Sequence, residues 1–381
     1  MTLAVFVVLV ASSHSSSLAS SHSSSIDRET INFDFAWRHL LGEPAQSRTC
    51  GALEPGVNYG TGGARVDNVA SAADCCALCA KSGSCAAWDF NTVVHDCWLK
   101  TDATGRANNS ERISGRIPQP ATPAAATVGF DDAAWELVDV PHDMLIKEHV
   151  MVNNTGSQGY RARNVGWYRK HFTLPADWSG SAVWLYIEGS FHVTTAWLNG
   201  ESLGTHDAGY TSFWLRLDGK ATVWGGANVL SLHVDASSGT GWWYEGGGLM
   251  RHTHLVRAPK LHIEPDSAWA HANVTAFAAP RPLPSHGAAA SATLYAALSV
   301  ANERAAASPV SLAAQVFTEA GVLVASAPPS PSVSVDAGHA ETLAIRTEIA
   351  AAELWSVGRP FLYTVVLSVS VGGQVIGRRN E

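Results

Sequence analysis

Along most of this chain, apolar and polar residues alternate with a period of two, the spacing of a strand that buries one face. Ser181-Ala-Val-Trp-Leu-Tyr-Ile187 is an apolar strand-like run. His192-Val-Thr-Thr-Ala-Trp-Leu198 leads into Asn199-Gly200, a dipeptide suited to a type I′ hairpin. Between Asn228 and Asp235, the alternation puts Leu230, Leu232 and Val234 on one face. Leu294-Tyr-Ala-Ala-Leu-Ser-Val300 and Phe361-Leu-Tyr-Thr-Val-Val-Leu-Ser-Val369 repeat the pattern. Near the start, Phe33, Phe35 and Trp37 alternate within Ile31-Asn-Phe-Asp-Phe-Ala-Trp-Arg38, which predicts a single half-buried strand. One stretch breaks the rule. Residues 71–81 read as a helix with Ser71 as its N-cap, and strands follow at Cys85-Ala-Ala-Trp-Asp-Phe90 and Cys97-Trp-Leu-Lys100.

Composition adds class and compartment. A chain of 381 residues with 46% hydrophobic and 15% charged side chains predicts two or three domains with sizeable cores. A net charge of −8 argues against nucleic acid and anionic membrane surfaces as partners. The apolar run at the N-terminus is too short to span a bilayer, and Ser17-Leu18-Ala19 offers a small-x-small cleavage site. Together they predict a signal peptide over 1–19, then a disordered Ser-rich linker over 20–30. No later segment reads as a membrane span. Sequons at Asn108, Asn153 and Asn273 fit a secreted protein.

All six cysteines lie between Cys50 and Cys97. An even number packed closely in a secreted chain predicts a disulfide framework. Zinc is the rival, because Cys76-Ala-Leu-Cys79 is a C-x-x-C, but no second such pair accompanies it. The helix, the two strands and the cysteine positions resemble an apple/PAN module over about residues 49–118. That resemblance implies Cys75–Cys97 and Cys79–Cys85, leaving Cys50–Cys76. It also implies binding of protein or glycan, without catalysis.

The module interrupts a larger unit. A Pro- and Ala-rich linker covers 118–126, and β-type patterning resumes at Phe130. The boundaries read as a first strand of a jelly roll at 31–44, the apple/PAN module at 45–122, a galactose-binding-like jelly roll at 123–262 and an immunoglobulin-like sandwich at 263–381. The expected fold class is therefore mainly β, with a small disulfide-rich α+β insertion.

Candidate chemistry centres on Gly239 to Val256, where Trp242, Trp243, Tyr244 and Glu245 precede three glycines and Arg251. Aromatic faces suit the C–H groups of pyranose rings, and Glu245 and Arg251 can take hydroxyls in charge-assisted hydrogen bonds. A buried Trp cluster on a Gly-rich turn is the competing reading. Val140-Pro-His-Asp143, Gly166-Trp-Tyr-Arg-Lys170 and Ala196-Trp-Leu-Asn-Gly200 occur in order. Leu203-Gly-Thr-His-Asp-Ala-Gly-Tyr210, the Trp243–Arg251 stretch and Leu354-Trp-Ser-Val-Gly-Arg-Pro-Phe-Leu-Tyr363 follow them. Together they resemble the N-terminal half of glycoside hydrolase family 2, the β-galactosidase and β-glucuronidase family, over 31–44 and about 125–378.

The resemblance implies a secreted glycosidase with a sugar-binding jelly roll, an immunoglobulin-like domain and a (β/α)₈ barrel bearing two catalytic glutamates. No barrel is expected within these residues. Retaining hydrolysis needs two carboxyls about 5 Å apart, and the spacing of Glu188, Glu201 and Glu245 marks no such pair. The chain is thus expected to bind carbohydrate, of β-galactoside or β-glucuronide type, without turnover and without a cofactor. Trp243, Tyr244 and Glu245 are the first candidates for sugar contact, with Arg251, His142 and Asp143 behind them. His252 and His254 form an H-x-H with no third ligand in sight, so no metal is expected. The alternative is a lectin-like or adhesion protein acting through its apple/PAN module. A serine or metallo-hydrolase is disfavoured, because neither G-x-S-x-G nor H-E-x-x-H occurs.

Overall fold

A computed structural model describes residues 28–44, 50–60, 63–81, 85–117, 122–277, 289–355, 357–358 and 360–380. The expected signal peptide and the linker as far as residue 27 lie outside them. Glu29 and Thr30, also expected in the linker, belong to the strand Glu29–Asn32. Among the described residues there is one α-helix, Ala72–Lys81, and no (β/α)₈ barrel.

Two sheets form the jelly roll. The larger runs in the order Glu201–Asp207, Val193–Leu198, Ala227–Asp235, Val165–Thr173, Trp37–Leu41 and Glu136–Val138. The smaller runs Glu29–Asn32, Thr253–Ala258, Ala182–Ile187 and Phe213–Arg216. Trp37, Tyr168, Leu185, Ile187, Leu232 and Val234 are all buried. The expected hairpin is present, with Asn199 and Gly200 both at positive φ. Val193–Leu198 pairs with Glu201–Asp207 across it. Ala227–Asp235 is more enclosed than its alternation predicts. Val229, Leu230, Ser231 and Leu232 are all buried, because the strand is flanked on both sides and covered on both faces.

The single strand expected at Ile31–Arg38 is in fact two strands in different sheets. Chain direction breaks at Ala36, which adopts φ +60° and donates its N–H to Asp139 Oδ1 at 2.9 Å. Asp34 caps the break, taking the Asn32 side-chain amide at 2.9 Å and the Thr253 N–H at 2.7 Å. Phe33 and Trp37 are buried as expected, but Phe35 is exposed. Its carbonyl, rather than its ring, is the inward group, accepting from the Lys170 ammonium.

Between Trp37–Leu41 and Glu136–Val138, which pair directly, lies the cysteine-rich module with its own sheet. Its strand order is Glu54–Tyr59, Arg106–Arg116, Ala87–Asn91, Cys97–Lys100 and Ala64–Val66. Ser71 caps the helix, its hydroxyl accepting the Asp74 N–H at 3.1 Å. The disulfides are Cys50–Cys76, Cys75–Cys97 and Cys79–Cys85. With Trp88, Phe90 and Ile117, every cysteine but the exposed Cys50 helps to make up a separate small core.

The described end of the Pro/Ala linker is not a free tether. Ala124–Ala126 forms a short 3₁₀ turn whose Ala125 and Ala126 are fully buried against Trp135, Trp167 and Trp197. Arg169 explains why. Its buried guanidinium donates to Asp132 Oδ2 at 2.8 Å, to the carbonyls of Ala125 and Thr127, and to Ser231 Oγ at 3.1 Å.

The immunoglobulin-like sandwich has one sheet built on Ala289–Asn302, paired with Leu261–Ile263, Trp269–Phe277 and His339–Glu353. The second runs Leu323–Ala327, Ser308–Thr318, Tyr363–Val371 and Gln374–Asn380. Its core contains Leu294, Ala296, Leu298, Val300, Val365, Leu367 and Val369, the inward positions of the two alternating stretches.

Candidate carbohydrate-binding loop

Glu245 organises the loop that carries the aromatic residues. It is buried, and its carboxylate accepts from Thr240 N at 2.9 Å, Thr240 Oγ1 at 2.5 Å and Arg163 Nη2 at 3.0 Å. Gln158 Nε2 at 3.4 Å and the Tyr210 hydroxyl at 3.3 Å complete the ring of donors. Burial alone pushes the carboxyl's pKa up, but the Thr240, Gly241 and Arg163 hydrogen bonds outweigh it and hold it at about 2. The group is therefore an anion at any physiological pH, and its oxygens face protein donors rather than solvent.

Folding residues 240–245 around one carboxylate turns the neighbouring indoles outward. Trp242 is 91% exposed and Trp243 62%. Tyr244 points the other way. Its hydroxyl donates to Asp143 Oδ2 at 2.8 Å, and the Arg161 guanidinium lies 5.9 Å from its ring centre. Asp143 Oδ1 accepts the N–H groups of Leu145 at 2.9 Å and Gly247 at 3.2 Å. Backbone bonds from His142 to Leu249 at 2.7 Å and from Met144 to Gly247 at 2.8 Å lock the same two segments together. Gly248 is required here. Its φ is +103°, and a Cβ would collide with the Tyr168 hydroxyl.

The structure thus brings Tyr244, Glu245, His142 and Asp143 into one bonded assembly, with Trp242 and Trp243 on its outside. Arg251 stands apart. It is exposed, its aliphatic stem lies over Gly189, and it makes no ion pair among the described residues. His142 is half-buried, with Nδ1 2.9 Å from the Tyr168 hydroxyl, and burial lowers its pKa. The two histidines of the H-x-H have separate carboxylates. His252 Nδ1 lies 2.7 Å from Asp34, and His254 Nε2 lies 3.0 Å from Glu188. Gln158, Arg163, Tyr210 and Thr240 were not expected in the site. Thr240 belongs to the loop itself, Gln158 and Arg163 share one stretch and Tyr210 comes from another, and only their convergence on Glu245 identifies them.

Comparison with known proteins gives two family matches. Residues 282–381 match the family described as glycosyl hydrolases family 2, and residues 55–100 match the PAN domain. The β-galactosidase BoGH2A of Bacteroides ovatus is 28% identical over 248 residues, 64% of this chain and 27% of that protein. A β-glucuronidase of Formosa agariphila is 24% identical over 268 residues, 66% of this chain and 27% of that protein. Among solved structures, a family 2 glycosyl hydrolase from Bacteroides cellulosilyticus superposes with a TM-score of 0.59 at 20% identity. It covers 92% of this chain and 35% of its own. The chain spans about a quarter of the length of these two relatives. It carries a family 2 glycosyl hydrolase domain and a PAN domain, and is homologous to part of the β-galactosidases and β-glucuronidases of that family.

Proposed function

We propose that these residues are the sugar-facing, non-catalytic sandwich domains of a secreted family 2 glycosidase acting on β-galactosides or β-glucuronides. On this reading they bind carbohydrate without turning it over. The observation that carries the reading is the exposed pair Trp242 and Trp243, held out by a loop whose carboxylate is fully engaged within the protein. Indole faces presented by a bonded scaffold suit C–H packing of a sugar ring and lose little freedom on binding. Glu245 cannot serve as a general acid, because it stays ionised far below neutral pH. On this reading Glu245 and Asp143 support the loop, while the two indoles make the contact. Three disulfides and exposed sequons at Asn108, Asn153 and Asn273 support the secretory route. The PAN domain is assigned a protein or glycan partner of its own.

Titration of the purified chain with galactose, glucuronate and their β-linked oligosaccharides tests this, with tryptophan fluorescence as the signal. A saturable change that Trp243→Ala removes supports the reading; no response to any sugar overturns it. Aryl β-galactoside or β-glucuronide turnover that a single Glu→Gln change abolishes would overturn the non-catalytic part.

A further inference from the structure

The strands Glu136–Val138, Trp37–Leu41 and Val165–Thr173 lie side by side, and their register sets His39 between Glu136 and Tyr168. Directly paired residues in an antiparallel ladder share a face, so these three side chains form one row. The turn after Pro141 delivers His142 onto that row. Its ring centre is 4.7 Å from that of His39 and 5.7 Å from that of Tyr168. His39, Glu136 and His142 each offer one ligand atom, and the three atoms lie within 4.8 Å of one another.

His39 is 4% exposed, and its Nε2 is enclosed without a hydrogen-bond partner. A buried ring nitrogen normally finds a partner, so this orphan signals a missing one. The Lys147 ammonium is bonded to Glu136 Oε1, which leaves the other carboxylate oxygen open. The Tyr168 hydroxyl at His142 Nδ1 can accept the proton there and leave Nε2 free to ligate, the usual outer-sphere arrangement of a metal-binding histidine.

We propose that His39, Glu136 and His142 bind a zinc ion, with water in the fourth position. Two imidazoles and a carboxylate form a nitrogen/oxygen donor set typical of open zinc sites, with bonds of roughly 2.0–2.2 Å. Glu136 can ligate through the oxygen that Lys147 does not hold, or release Lys147 altogether. Such an ion clasps the strand pair to the turn that carries Asp143, and so braces the base of the Tyr244 loop. The sequence expectation of no metal weighed Cys76 with Cys79 and His252 with His254, whereas this site joins residues about a hundred positions apart that only the strand register brings together.

The test is calorimetric titration of the chelator-treated full-length chain with Zn²⁺, with Co²⁺ absorption as a spectroscopic probe. The expected result is one ion per chain, a tetrahedral-type Co²⁺ spectrum and a Zn²⁺-dependent rise in melting temperature. His142→Ala should abolish all three. Tyr168→Phe, which keeps the ring and loses the outer hydrogen bond, should weaken binding roughly 10–100-fold. Glu136 is exposed, so Glu136→Gln leaves folding intact and should still lose affinity, while His252→Asn with His254→Asn should change nothing. Equal Zn²⁺ binding by wild type, Glu136→Gln and His142→Ala, or no stoichiometric binding by folded wild type, overturns the site.

Discussion

The Tyr244 hydroxyl donates to Asp143 at 2.8 Å, joining two residues 101 positions apart. This bond fastens the aromatic loop to the turn that follows Pro141. A loop that would otherwise be free to swing becomes part of the sandwich end.

Replacing Tyr244 by Phe removes that bond and little else. Asp143 still accepts two backbone N–H groups, so the expected stability loss is about 1 kcal/mol. The informative signal is local. Amide exchange at Gly247 should quicken, while exchange in Val165–Thr173 should not change. Unchanged exchange at Gly247 would show that the backbone bonds hold the loop alone.

Glu245 gives a pH signature with a defined sign. Its folded pKa of about 2 lies below its ordinary value. The unfolded chain therefore binds the proton first as pH falls. The stabilisation is complete above about pH 4.5 and is lost between there and about pH 2. Glu245→Gln should be less stable than wild type by roughly 2–3 kcal/mol at neutral pH, since Arg163 loses its charged partner. The gap should narrow as the pH drops through that window. A gap constant from pH 7 to pH 2 would contradict the assignment.

Arg169 makes the third prediction. Removing its carboxylate with Asp132→Ala leaves a guanidinium with no exposure and no anion. Such a change typically costs roughly 3–5 kcal/mol. Asp132→Ala with Arg169→Met should recover part of the loss, because the apolar pair leaves no stranded charge. Chemical denaturation followed by tryptophan fluorescence reads both, and the double variant proving worse than the single would refute the account.

The module's core depends on its bridges. Losing Cys75–Cys97 through paired Ser substitutions should cost roughly 2–5 kcal/mol locally. Protease sensitivity should then appear within 50–117 while the jelly roll stays resistant. Simultaneous melting of both would show that they fold as one.

Much of the fold was legible because its signals are local. Asn199-Gly200 must turn, Ser71 must cap, and Val365, Leu367 and Val369 must share a face whatever surrounds them. Phe35 misled because alternation cannot register a positive φ at Ala36 or an inward carbonyl bound by Lys170. The aromatic loop was legible as a stretch, yet the inward aim of Glu245 was not. Thr240 is a local donor, but Gln158, Arg163 and Tyr210 lie 87, 82 and 35 positions from Glu245, and no short-range pattern links them to it. His39 and Glu136 were invisible as partners for the same reason, since their adjacency is a property of register.

Gly51 donates its N–H to the Arg116 carbonyl at 3.0 Å, so the PAN module begins and ends at one point. Adjacent termini of this kind are the geometry that lets one compact domain be inserted into a surface loop of another. What the module displays is thus carried on a sheet and a core of its own, separate from those that hold the Trp242–Trp243 loop.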